Sequence, residues 1–272
     1  MDLSRELIGS SAAIHEMERE IQCAAGTDAK VLITGESGVG KEVVARLIHA
    51  NSRRAQGRLV TINCAGVPDT LLESELFGHT RGSFTDAHRD KRGWLELAHG
   101  GTVFMDEIGE MSLRMQAILL RFLESGEIQP IGTERVGSVV DVRIIAATNR
   151  NLFNSTSVKT FREDLYYRLN VIHVAVPPLR ERREDIPVLL NHFLRTHSQH
   201  HRVETPIVSD ETMTRLMEYD WPGNVRELRN VSERLVVSLR SGVITPDQLP
   251  REVSAQRRRT PDALFERTIP GG

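Results

Sequence analysis

The run Gly35-Glu36-Ser37-Gly38-Val39-Gly40-Lys41 has the spacing G-x-x-x-x-G-K, and the chemistry open to it is phosphate binding. Glycines let the backbone curl so that several N–H groups point inward. A following helix adds the partial positive charge of its N-terminus, and a lysine at the position of Lys41 reaches the outer phosphates. The next residue is Glu42, where many such loops carry the Ser or Thr that helps to hold Mg²⁺. The metal must then lean on waters and on another carboxylate. Thr102-Val103-Phe104-Met105-Asp106-Glu107 offers one, an apolar run ending in two acids. There Asp106 would hold the Mg²⁺ shell and Glu107 would orient and polarise an attacking water. Together the two segments predict a site for ATP and Mg²⁺ that cleaves the nucleotide.

Such a site needs a sheet to bring the two segments together. Lys30–Thr34, Leu59–Ile62, Thr102–Met105, Val142–Ala147 and Val171–Val176 read as buried strands. Helical periodicity separates or flanks them at Ser11–Ala25, after the glycine loop, and at Thr70–Phe77, Ser112–Ser125 and Phe161–Leu169, with Ser112 as an N-cap. The alternation predicts an α/β fold, a doubly wound parallel sheet with helices on both faces and the glycine loop beside the acids. Pro177-Pro178 cannot continue a helix or a central strand and closes this part, giving an ATPase subdomain over 1–178. Helical patterns at Ile186–Thr196, Asp210–Tyr219 and Val225–Arg240 predict an all-α lid subdomain over 179–250. The polar stretch 251–272 reads as a flexible tail.

Composition narrows the rest. The 272 residues carry 35 Lys and Arg against 37 Asp and Glu, a net charge of −2, which argues against a polyanion binder. No apolar run approaches the roughly 18 residues of a bilayer span, and the expected compartment is the cytoplasm. Cys23 and Cys64 are too few for a disulfide framework and are expected to be buried free thiols. His197 and His201 stand at i, i+4, and a solvated helix end is favoured over a metal site because no third ligand is evident. Trp94 is expected in the core.

Further segments carry a resemblance. Gly35 to Glu42, Glu75-Leu76-Phe77-Gly78-His79, Phe104 to Ile108, Ala147-Thr148-Asn149, Phe161 to Leu169, Pro177 to Arg182 and Trp221-Pro222-Gly223-Asn224-Val225-Arg226-Glu227-Leu228 resemble the AAA+ domain of bacterial enhancer-binding activators of sigma-54 RNA polymerase, the NtrC type that includes the phage-shock activator. The likeness runs from about Leu7 to Leu249, and Glu42 is usual in that family. It implies a homo-oligomer, a hexameric ring whose ATP turnover remodels the sigma-54 holoenzyme. It places Ile8 and Gly9 with the loop among the nucleotide-binding positions. Asn149 matches the sensor I residue and Arg226 the sensor II arginine. Asn63 matches the asparagine that pairs with the catalytic glutamate, here Glu107, its alternative being a plain strand end. Arg162 and Arg168 match arginines that reach a neighbour's nucleotide, the alternative being an ion pair with Glu163 or Asp164.

Gly82-Ser83-Phe84-Thr85-Asp86-Ala87 occupies the place of the family's GAFTGA loop, the tip that grips sigma-54. Ser83 replaces Ala, and Asp86 replaces a glycine that admits positive φ freely. The segment is a working variant of that tip, a plain surface loop, or a grip for another client. The sequence has no sequence-specific DNA-binding motif and no room for the sensory and helix-turn-helix domains common in the family. A remodeller of another client, and a nucleotide-gated binding module with little turnover, are the competing readings.

Overall fold

The computed structural model describes residues 7–83, 87–133, 137–239 and 242–254, which form two compact units divided between Pro178 and Leu179. The first is built on a five-stranded parallel sheet. Its strands are β1 (Val31–Thr34), β2 (Leu59–Asn63), β3 (Thr102–Asp106), β4 (Arg143–Thr148) and β5 (Ile172–Ala175), and their spatial order is β2-β3-β4-β1-β5. From β1 the chain crosses to the far edge and works back, so the order reverses between β1 and β4. In open parallel sheets the crevice at such a reversal, beyond the strands' carboxyl ends, is where ligands bind.

Side-chain alternation along β1 explains why both faces need helices. Leu32 joins a buried cluster with Ile62, Val103, Met105, Ile144 and Ala146, covered by α3 (Asp69–Phe77), α4 (Leu113–Ser125) and α6 (Glu163–Leu169). Val31 and Ile33 point the other way, into a cluster with Phe104, Ile145, Ala147 and Val174, covered by α1 (Ala12–Ala25) and α2 (Lys41–Ala50). Each fully buried aliphatic side chain contributes about 1.5–3 kcal/mol of transfer free energy. α1 and α4 begin on capping side chains: Ser11 Oγ accepts from Ile14 N, and Ser112 Oγ accepts from Met115 N. A short α5 (Leu152–Ser157), capped by Asn151, lies between β4 and α6. Two-residue strand pairs join Gly78–His79 to Lys91–Arg92 and Glu127–Ile128 to Ser138–Val139.

The second unit holds α7 (Ile186–His201), α8 (Asp210–Glu218) and α9 (Asn224–Leu239). The expected helical lid is present, and within it β6 (Ile207–Val208) and β7 (Val243–Ile244) form one two-residue parallel pair. Two residues per strand are too few for any periodicity to announce them. The Trp-Pro-Gly-Asn turn anchors this unit. Trp221 is fully buried and its Nε1 donates to Leu216 O at 2.8 Å. Asn224, also buried, accepts from Leu179 N at 2.8 Å.

Smaller expectations divide. Cys64 is buried, but Cys23 is exposed on the outer face of α1. His197 is buried rather than solvated, with Nδ1 4.0 Å from a Glu233 oxygen, while His201 Nε2 lies 3.5 Å from the same oxygen. Trp94 is partly buried against the first cluster. Of the stretch 251–272, Arg251–Ser254 form a short helix with Val253 buried, and the remainder of the expected tail lies outside the described residues. No helix among the described residues is long and apolar enough to cross a membrane.

Candidate active site

The glycine loop leaves β1 at Gly35, whose N–H donates to Thr148 O of β4 at 3.3 Å. Gly35 has to be glycine here: a Cβ would lie 2.7 Å from the carbonyl oxygen of Val176. Gly40 caps α2 with φ +110°, a conformation that side chains disfavour. Val39 anchors the loop in the apolar cluster beneath it. The loop therefore delivers its backbone to the N-terminus of α2, where the leading N–H groups and the helix dipole favour an anion.

Lys41 opens α2 and is 7% exposed. Its Nζ donates to Gly35 O at 2.9 Å, to Glu36 O at 3.3 Å and to Glu107 Oε1 at 3.4 Å. The buried cation is thus fully surrounded by oxygen, as burial of an ammonium requires. Glu42 faces away and pairs with Arg46 one turn on, at 2.6 Å.

β3 pairs with β2 in a register that sets Asp106 opposite Asn63, both at the carboxyl edge. Asp106 is partly buried, and its Oδ1 accepts from Glu107 N at 3.0 Å. Burial, with the Glu107 carboxylate next, pushes the Asp106 carboxyl above its usual range against the pull of Lys41. Glu107 itself has φ +52° and ψ +47°, the left-handed region, which costs a non-glycine residue about 1–2 kcal/mol. That turn swings its carboxylate away from the strand direction. One oxygen meets Lys41, and the other accepts from Asn149 N at 3.1 Å.

Asn149 thus meets Glu107 through its backbone amide, a contact that a side-chain motif does not foretell. Asn63 and Glu107 are not paired. Asn63 Oδ1 accepts from Ala65 N at 2.8 Å, a local turn that satisfies the asparagine while Glu107 is held elsewhere.

Sequence reasoning missed Arg150. Its Nη1 donates to Gly109 O at 3.1 Å, its Nη2 to Glu110 Oε2 at 2.6 Å, and its backbone N–H to Thr148 Oγ1 at 3.0 Å. The nearest signal was its place directly after Thr148-Asn149, which says nothing about its partners.

Arg162 and Arg168 are both exposed and tied to their own surroundings. Arg162 grips Asp164 with two bonds, Nε to Oδ1 at 3.0 Å and Nη2 to Oδ2 at 2.7 Å, and its backbone N–H reaches the buried Gln116. Arg168 donates from Nη2 to Leu123 O at 3.2 Å, near the C-terminus of α4. Its charge also helps burial to push the nearby Lys30 ammonium below its usual range. Ile8 and Gly9 are partly buried just before α1, next to Leu7, which packs on the α1–α2 cluster. Arg226 stands exposed in the first turn of α9, in the second unit. Gly82 N donates to Ala87 O at 2.8 Å and closes the base of the predicted partner loop. Ser83 Oγ donates to Thr80 O, while Phe84, Thr85 and Asp86 lie outside the described residues.

Comparison with known proteins agrees with this geometry. The family profile described as Sigma-54 interaction domain matches residues 7–175, and that described as AAA+ ATPase lid domain matches 180–264. The transcriptional regulatory protein ZraR of Salmonella typhimurium is 48% identical over 93% of this chain and 57% of its own length. The Nif-specific regulatory protein of Klebsiella pneumoniae is 52% identical over 89% of this chain and 46% of its own. The chain therefore spans about half the length of the relatives it matches. Among solved structures, NtrX from Brucella abortus in complex with ATP superposes with a TM-score of 0.85 at 40% identity, covering 91% of this chain and 57% of that one. The matched residues, the switch-point glycine loop and the paired acids lead to one conclusion: this chain belongs to the sigma-54 interaction domain family, the AAA+ P-loop ATPase domain of sigma-54-dependent transcription activators.

Proposed function

We propose that the chain hydrolyses ATP at sites shared between subunits of a ring, and that turnover remodels the sigma-54 RNA polymerase holoenzyme in the cytoplasm so that transcription can begin. The observation that carries the reading is the meeting of Lys41 and Glu107, 66 residues apart in sequence, 3.4 Å apart across the switch point. The donor set fits a magnesium–triphosphate: N–H groups at the start of α2, one buried ammonium, and a partly buried carboxyl on Asp106. When bound, Mg²⁺ would neutralise phosphate charge, with Asp106 holding it partly through water. Lys41 would exchange its present contacts, Glu107 Oε1 among them, for phosphate oxygens, which would open that oxygen of Glu107 to the attacking water. Glu107 takes the proton of that water, and Asn149, bonded to it through the backbone, registers the state of the terminal phosphate. Cleavage is then a matter of positioning and charge stabilisation, as is general in phosphoryl transfer.

Arg162 and Arg168 contact no part of the loop of their own chain, which is what arginines serving a neighbour's nucleotide require. An arginine supplied in trans is worth roughly 10³–10⁵ in rate. The segment Gly82 to Ala87 is assigned to sigma-54 contact on its resemblance to the family's GAFTGA loop within the stretch matched by the sigma-54 interaction domain profile, and Arg226 to sensing through the lid. The deciding experiment measures specific ATPase activity against protein concentration, together with capture of sigma-54 by the protein loaded with ATP and a transition-state phosphate mimic. Activity should rise with concentration and capture should depend on nucleotide. Constant activity in a verified monomer would remove the shared site, and failure to capture would remove the client.

A further inference from the structure

Glu107 cannot hold its position by its own preferences, since its backbone sits in a conformation that costs energy and its side chain must clear the strand end. Two turns lie side by side here because β3 and β4 are parallel neighbours, with Met105 opposite Ala146. One turn runs from Glu107 through the single 3-10 turn Ile108–Glu110, and the other is Asn149-Arg150. Arg150 spans the gap, donating to the carbonyl of Gly109 and to the carboxylate of Glu110. Beneath it the turns are pressed together: a Cβ on Gly109 would lie 2.9 Å from Thr148 Oγ1 and 3.3 Å from Arg150 Cδ. The backbone N–H of Asn149 closes the same seam on Glu107.

We propose that Arg150 is a positioning residue for hydrolysis: its grip on Gly109 and Glu110 locks the turn that presents the Glu107 carboxylate, so that Asn149 and Glu107 move as one body. The proposal deepens the proposed function and rests on it. Arg150 touches neither loop nor phosphate-binding lysine. Its effect must therefore fall on the chemical step, because a catalytic group displaced by about 1 Å can lose up to a hundredfold in rate.

In the full chain, Arg150→Ala should lower kcat about ten- to a hundredfold while KM and the dissociation constant for ATP stay within twofold. Glu110→Gln should weaken the same grip and lower kcat in the same direction, and the double variant should lose no more than Arg150→Ala alone. Arg150→Lys, able to reach one partner but not both in fixed geometry, should recover part of the loss. Amide hydrogen exchange over residues 107–111, measured without nucleotide, should speed up in Arg150→Ala and return towards the parent rate in Arg150→Lys. An unchanged kcat in Arg150→Ala, or additive losses in the double variant, would overturn the assignment. Unchanged exchange would overturn it whether or not the parent protein hydrolyses ATP. If the parent shows no turnover yet exchange responds, the brace stands and the ATPase reading falls.

Discussion

Lys41 Nζ and Glu107 Oε1 are 3.4 Å apart, and the lysine is the more buried of the two, at 7% side-chain exposure against 19%. Removing either partner leaves the other with fewer compensating contacts in a shielded place, where unpaired charge is costly. The pair also places the loop's cation and the carboxylate proposed to activate water under mutual restraint, so the two substitutions should fail differently. Lys41→Ala should lose nucleotide binding, read by titration of a fluorescent ATP analogue. Glu107→Gln should bind that analogue within a few-fold of the parent and lose about 10²–10⁴ in kcat, the usual worth of a general base. Normal turnover in Glu107→Gln would reassign the base.

The Arg162 side chain is held by Asp164 in the single chain, an exposed pair of the kind that contributes little to stability, and its backbone bond to Gln116 survives truncation of the side chain. Arg162→Ala should therefore melt within about 1–2 °C of the parent and bind ATP normally. Its kcat should nevertheless fall roughly a thousandfold, on the scale of an arginine supplied in trans. Mixing Arg162→Ala with Glu107→Gln protein should restore a fraction of the lost activity. In a mixed seam one subunit brings the intact glutamate and its neighbour the intact arginine. Absence of recovery in verified mixed oligomers would argue that each chain works with its own arginine.

Gly35→Ala tests the loop without touching a charged group. Its new methyl meets the Val176 carbonyl at 2.7 Å, so the backbone must shift where β1 ends and the loop begins. Overpacking of this kind costs about 1–3 kcal/mol, and the shift moves the N–H groups that follow. Thermal unfolding should drop by several degrees and ATP affinity by at least tenfold. A variant with parent-like melting and affinity would show that the loop tolerates displacement.

The cysteines give a check that needs no nucleotide. Cys23 is exposed, whereas burial, with Asp106 and Glu107 nearby, pushes the Cys64 thiol up to about 12. At pH 8 a maleimide should label the native chain once, at Cys23, and the unfolded chain twice. The sign for stability follows: the neutral thiol's contribution is complete below its unfolded value of 9.0 and is lost as pH rises from there through about 12. Across that window Cys64 adds a loss approaching about 1.4 kcal/mol per pH unit. Cys64→Ala should flatten the decline measured by denaturant unfolding. Equal slopes in the two proteins would mean that Cys64 titrates normally.

Local order carries motif chemistry, and that is why the glycine loop, the apolar strand ending in Asp106-Glu107 and the capped helix at Ser112 were legible in the sequence. Their function depends on neighbours a few residues away. The alternation of apolar strands with helical stretches likewise announced a sheet covered on both sides. The parallel pair Ile207–Val208 with Val243–Ile244 was not legible, since two residues show no period and the partners lie 36 positions apart. Charge partners were beyond reach for a related reason. Asn63 turns onto Ala65 instead of Glu107, Asn149 uses its backbone instead of its side chain, and Arg150 finds Glu110 across a gap of 40 residues. Sequence determined which groups stand at the ends of the strands. Only the register of parallel neighbours and the left-handed turn at Glu107 decided which of them touch, because a hydrogen bond is settled within a few tenths of an ångström and a spacing pattern is not.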